Sequence, residues 1–221
     1  MALAVAIVPA QATPALADRL AGEPGIDLLQ HGYAHVNHAP AGDKKAELGP
    51  HRPLMLVLGE LGTGWMALER LFGSRTLPVL VPPWNRIAPG LVPTLPEIGF
   101  RGLSIFGPRR ARPLRGLKEI NTHVDVIDWK GGRGFVGEQA ALGILVAALA
   151  HARTVSHEPI GLLSHHLAMD GEAWDFIRLM WQKAREIPGL RVRPARELFA
   201  APSDPGQAEG GRGGMAREVR G

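Results

Sequence analysis

Short apolar runs bounded by Gly, Pro and polar residues recur along this chain, separated by stretches with helical spacing. Leu3-Ala4-Val5-Ala6-Ile7-Val8, closed by Pro9, predicts a buried strand, and Thr13-Pro14 opens a helix running to Leu20. Ile26 to Leu29 predicts a second strand. The polar connection from Asn37 to Arg52 contains Gly and Pro and has room for one helical turn. Met66 to Phe72 is helical, with Leu68, Leu71 and Phe72 on one side and its start left open upstream. Leu77 to Val81 predicts a strand halted by Pro82-Pro83, Leu91 to Ile98 a short helix, and Gly102 to Phe106 a strand; Leu117 to Ile127 contains another. Val136 to Ala150 is a strongly apolar helix, with Ala140, Ile144, Ala147 and Ala148 marking the face expected against a sheet. Pro159 to Ser164 predicts a strand. Glu172 to Glu186 is an amphipathic helix carrying Trp174, Ile177 and Trp181, ended by Pro188-Gly189. Leu190 to Val192 and a helical turn at Ala195 to Phe199 complete the order. Repeated strand–helix units imply an α/β fold with a mostly parallel sheet, open or closed into a barrel. One domain over residues 1–200 is expected, with a Gly/Pro/Arg-rich tail at 201–221 expected to be disordered.

Composition narrows the classes. A length of 221 residues with 45% hydrophobic content suits one soluble domain with a full core. The absence of cysteine excludes disulfides, thiolate nucleophiles and Cys-based metal sites. The net charge of +4 comes largely from two arginine clusters, Arg109/Arg110/Arg112/Arg115 and Arg185/Arg191/Arg193/Arg196. Prolines interrupt both and no aromatics interleave as a stacking platform, so a solvated face is expected and no nucleic-acid partner. The first apolar run is far shorter than the ~20 residues a bilayer span takes, and no Lys or Arg precedes it as in a signal peptide. A cytoplasmic protein without membrane contact is expected, an oligomer being possible. A core strand entered at the second residue also carries the expectation that something precedes Met1.

The candidate chemistry lies where strands end. His31-Gly32-Tyr33-Ala34-His35 follows the second strand, and two histidines four positions apart would share one face of a helical turn and reach one metal ion. The plainer alternative is a strand-capping His31 and a His35 bonded to nearby backbone. Further strand ends carry Pro82-Pro83-Trp84-Asn85-Arg86, then Asn121-Thr122-His123-Val124-Asp125 with Asp128-Trp129-Lys130, then Ser164-His165-His166 with Asp170 beyond. Four polar strand ends in succession are what a metal-assisted hydrolase requires.

In order and rough spacing these motifs resemble the polysaccharide deacetylases (carbohydrate esterase family 4, the NodB-homology domain). The family's H-[ST]-x-x-H is similar to His31–His35 with Gly32 in the second place. Its R-x-P-aromatic resembles Val81-Pro82-Pro83-Trp84, with valine for arginine. Its D-x-x-D-W matches Asp125-Val126-Ile127-Asp128-Trp129, and its L-x-H matches Leu163-Ser164-His165. The resemblance implies an irregular (β/α) barrel that hydrolyses amide or ester acyl groups on a carbohydrate or a small amide. It implies a divalent metal, zinc by preference, on His31 and His35, and His165 as general acid with Asp125 fixing its tautomer. Pro83, Trp84, Asn85, Asp128 and Trp129 would line the substrate, with the N–H near Trp84 holding an oxyanion. His165 is selected over His166 by the L-x-H register, and His166 would pack on the opposite face. The family's first motif, an Asp-Asp pair giving a third ligand and the general base, has no counterpart here: Asp18 and Asp27 stand in the wrong context. The expectation is that a first β/α unit lies upstream or that this form is inactive.

A second class competes. Leu54 to Leu58, then Gly59-Glu60-Leu61-Gly62-Thr63-Gly64, then the helix at Met66, reads as a strand, glycine loop and helix for a nucleotide or S-adenosylmethionine. A third reading is a non-catalytic binding protein on the deacetylase fold.

Overall fold

The computed structural model describes residues 2–200; the tail expected to be disordered lies outside them. Five parallel strands form one sheet in chain order: β1 (Leu3–Ile7), β2 (Ile26–His31), β3 (Thr76–Val81), β4 (Gly102–Leu103) and β5 (Lys118–Glu119). A second, two-stranded parallel sheet pairs β6 (Val124–Asp125) with β7 (Leu162–Leu163). The helices are α1 (Pro14–Ala21), α2 (Leu54–Phe72), α3 (Glu138–His151), α4 (Gly171–Glu186) and α5 (Ala195–Phe199).

The stretch Leu117 to Ile127, expected to contain one strand, holds two. Its first half pairs with β4 and its second with β7, so a single extended run crosses between the sheets. Phe106 and Thr122 form one isolated parallel bridge at this crossing. Buried Asn121 stitches it, accepting from the Ile105 N–H at 3.0 Å and donating to the Gly107 carbonyl at 2.9 Å. The side-chain amide takes over where the strand ladder breaks, which keeps the buried backbone paired.

Helix starts follow local chemistry. Thr13 caps α1 through its hydroxyl, with Pro14 at the first helical position. Asp170, read as a strand-end functional group, instead caps α4 by accepting from the Ala173 N–H at 2.9 Å. Between Asn37 and Arg52 no helical turn forms. The Asn37 side chain accepts the N–H groups of Ala39 and Ala46 there, closing the loop without a helix.

Two expectations about helices are corrected. Leu54 to Leu58 is not a strand, and Gly59 to Gly64 is not a loop: both lie inside α2. Val57, Leu61, Gly64, Leu68 and Phe72 are buried at spacings of four and three, and this stripe over nineteen residues outweighs the three glycines. Gly59 and Gly62 face open space, whereas at Gly64 the helix meets Gln30 and Pro9 so closely that a Cβ would lie 2.7 and 2.8 Å from them. The strand–loop–helix reading for a nucleotide or S-adenosylmethionine falls with this. In α3, Ala140, Ile144 and Ala147 are exposed rather than buried; the packed positions are Ala141, with Leu145 and Ala148 partly covered. A helix apolar on every side gives periodicity no contrast by which to choose its inner face.

The main core lies between α2 and the five-stranded sheet, built on Leu61, Leu80, Leu95, Phe100 and Leu103. The second sheet has its own core of Val124, Val126, Ile127, Ala141 and Phe176. α5 is tied to the far side of the first sheet, where buried Asp27 of β2 accepts the Arg196 backbone N–H at 2.9 Å and its Nε at 2.6 Å.

Candidate active site

In a parallel α/β sheet, the loops leaving the C-terminal strand ends carry the chemistry. Here His31 is the last residue of β2, and its Nδ1 lies 2.9 Å from the carbonyl of Val81, the last residue of β3. A carbonyl only accepts, so Nδ1 carries the proton and Nε2 keeps its lone pair free for an electrophile. Burial pushes the His31 pKa down to about 4. The Val81 bond works against this shift, and charges on His35 and His165 add to it. His31 is therefore neutral near pH 7, the form in which imidazole binds a metal.

The two histidines do not share a helical turn. Gly32 (φ +56°) and His35 (φ +58°) both adopt left-handed backbone, and the loop folds back on itself. The result still brings the rings together, with centroids 5.1 Å apart. Glu47, which no local sequence signal marks, makes this possible. Only 1% exposed, it accepts the N–H groups of Tyr33, Ala34 and His35 at 3.2, 2.7 and 3.0 Å. One carboxylate thus satisfies three successive amides that no strand or helix pairs. Gly32 is required beneath it, because a Cβ there would collide with Glu47 Oε2 and lie 2.6 Å from Pro83 Cγ.

After β3, Pro83 is buried against this loop, and Trp84 and Asn85 sit in left-handed conformations (φ 54° and 55°). Such backbone is costly for residues other than glycine and clusters at functional sites. It turns the Trp84 ring onto His35, with centroids 4.3 Å apart. Asn85 has no side-chain partner among the hydrogen bonds of the described residues.

The second sheet supplies the other wall. Asp125 ends β6, and the His165 loop follows β7. His165 Nε2 lies 3.1 Å from Asp125 Oδ2, and the Trp129 indole Nε1 donates to the same oxygen at 2.8 Å. The Trp129 and His165 rings meet edge to face at 4.8 Å. Burial pushes the Asp125 carboxyl upward, but the bonds from His165, Trp129 and the Ile127 N–H together overcome it and hold its pKa below the ordinary value. Asp128 serves the turn, its Oδ1 accepting from the Lys130 and Gly131 N–H groups at 3.1 and 2.9 Å. His166 is exposed rather than packed on the opposite face. His165 and His31 come from different sheets yet are close enough for the charge of one to oppose protonation of the other.

In kind, the donors suit a divalent metal: a neutral imidazole with a bare Nε2, oriented by a carbonyl behind it, beside a second imidazole. In number they do not complete a site, because among the described residues no group of three His, Asp or Glu side chains is placed to hold one metal ion.

No family model and no curated protein matches this chain. Among solved structures, it is similar to a crystal structure from Mycobacterium smegmatis provisionally named a polysaccharide deacetylase. The TM-score is 0.60 at 15% identity, over 89% of this chain and 70% of that one. The chain therefore has an α/β fold with a parallel sheet of the kind seen in that structure. Its hydrogen-bonded strands fall into one sheet of five and one of two.

Proposed function

We propose that this chain is a metal-dependent hydrolase of the polysaccharide deacetylase type, removing acyl groups from an acylated carbohydrate or a small amide. The observation that carries the proposal is a histidine pair with rings 5.1 Å apart, His31 presenting a free Nε2, with the Asp125-bonded His165 near enough for its charge to act on His31. His31 and His35 would hold the divalent ion, zinc by preference. Once bound, it would supply Lewis acidity to an acyl carbonyl and to water. His165 acts as general acid. Asp125 holds its Nε2–H, leaving Nδ1 to carry the proton delivered to the departing amine or alcohol. The indole of Trp129 shares the Asp125 oxygen and so fixes the carboxylate that fixes the imidazole. Trp84 and Trp129 give apolar walls, with Pro83, Asn85 and the Asp128 turn at the rim. Support for the substrate class comes from the ordered motifs and the likeness to the M. smegmatis structure.

The test is acetate release from N-acetylated and O-acetylated oligosaccharides and from small acyl amides, with zinc added. His165→Ala is expected to lower turnover by about 10²–10⁴-fold while zinc still binds in calorimetry. His31→Ala and His35→Ala are expected to lose zinc. Zinc binding unchanged in both histidine variants would overturn the reading, as would activity indifferent to His165.

A further inference from the structure

The fold leaves one feature unexplained by the site. α3 is apolar all round, yet Ala141 is its only fully buried residue. Glu138, Leu142, Val146, Leu149 and Arg153 lie along one flank at spacings of four, four, three and four, the last just beyond the end of α3. All five are exposed, the three apolar ones by 42, 64 and 38%. Glu138 to Leu149 make a helical seam about 16 Å long at ~1.5 Å per residue, acidic at its start, and the basic Arg153 follows in the wider π turn Ala152–Ser156.

The seam is its own complement. A two-fold axis passing between residues 145 and 146, with the helices antiparallel, sets Glu138 against Arg153, Leu142 against Leu149, and Val146 beside its own copy. Both ends of the seam are thereby neutralised and the helix dipoles opposed. The acidic end is reinforced by α4. Glu138 shares a groove of about 350 Å³ with Glu172, Asp175 and Leu179, floored by Phe135 and Phe176. Asp175 already pairs with Arg178, which leaves Glu138 and Glu172 to receive an arginine from outside. A stable interface typically buries roughly 800 Å² per partner, and the inferred contact takes in the groove and Leu179 together with the helix flank.

From this self-complementary charge pattern we infer that the α3 flank is an isologous dimer interface, its occupant the same flank of a second copy of this chain. The inference is independent of the hydrolase reading.

Sedimentation velocity of the full chain over a concentration series tests it. A monomer–dimer equilibrium is expected. Val146→Glu, at an exposed position, should abolish the dimer without changing the near-ultraviolet circular dichroism. Glu138→Arg and Arg153→Glu should each weaken it several-fold, whereas the double reversal E138R/R153E should restore it. A monomer at every concentration up to the solubility limit overturns the inference, as does a dimer indifferent to Val146→Glu and to both single reversals. Glu138–Ser156 is also long and apolar enough, at a mean hydropathy of 1.2, to pass as a membrane span. Co-sedimentation of a monomer with phosphatidylcholine vesicles, lost in Val146→Glu, would therefore overturn it in favour of lipid.

Discussion

His31 and Asp125 couple the site to pH in the same direction. His31 titrates near 6.5 when unfolded and at about 4 when folded. Between those values the unfolded chain binds a proton that the native chain does not. Stability is therefore fully present above pH 6.5, and it is lost as pH falls toward 4, by at most about 3 kcal/mol for a shift of this size. Asp125, also depressed, extends the loss below the ordinary carboxylate range. Urea denaturation in chelator across pH 4–7 is expected to show this slope, and His31→Gln to flatten it. Glu47 makes a separate demand. Glu47→Ala would strand three part-buried amides, and hydrogen bonds to a charged group are worth ~1.5–3 kcal/mol each. A loss of at least about 3 kcal/mol in chemical denaturation is expected, with Glu47→Gln intermediate because it keeps one acceptor oxygen.

Among the elements, α2 separates two readings of the same letters. Gly59, Gly62 and Gly64 look alike in sequence, but only Gly64 touches neighbours. Gly59→Ala and Gly62→Ala are each expected to stabilise the fold by about 0.5–1 kcal/mol, as in any helix interior with room for a methyl group. Gly64→Ala is expected to destabilise it by driving Gln30 and Pro9 away from the helix. A phosphate-cradling loop would give the opposite ranking, so thermal melts of the three variants check the assignment. The strands were more legible. β1, β2 and β3 announce themselves as apolar runs ended by Pro or a polar turn; β2 and β3 lie inside the sheet, whereas β1, expected to be buried, is an edge strand whose Ala4 and Ala6 are exposed. β4 to β7 are each two residues long, and so short a pairing leaves little periodic signal in the chain.

For the molecule as a whole, motif order carried more of the site than local spacing did. Spacing predicts a helical turn for the histidine pair, whereas the structure has a strand end plus a doubled-back loop. The two rings meet because Gly32 and Glu47, which no spacing rule selects, build that loop. Asp125 and His165 stand forty positions apart, and their contact follows from β6 pairing with β7 in register. Long-range pairing of this kind is invisible to a window of neighbours. The strained turn at Trp84 and Asn85 is half hidden: Asn tolerates left-handed backbone readily, but nothing in Pro-Pro-Trp-Asn marks Trp84 for it.

The crossing run at residues 118–125 has a mechanical consequence. One sheet carries His31 and His35, the other carries Asp125 and His165, and Asn121 pins the run between them to the first, at Ile105 and Gly107. Asn121→Ala, remote from every reacting atom, should leave zinc affinity intact and slow turnover, because each sheet keeps its own equipment while the gap between them is no longer gauged.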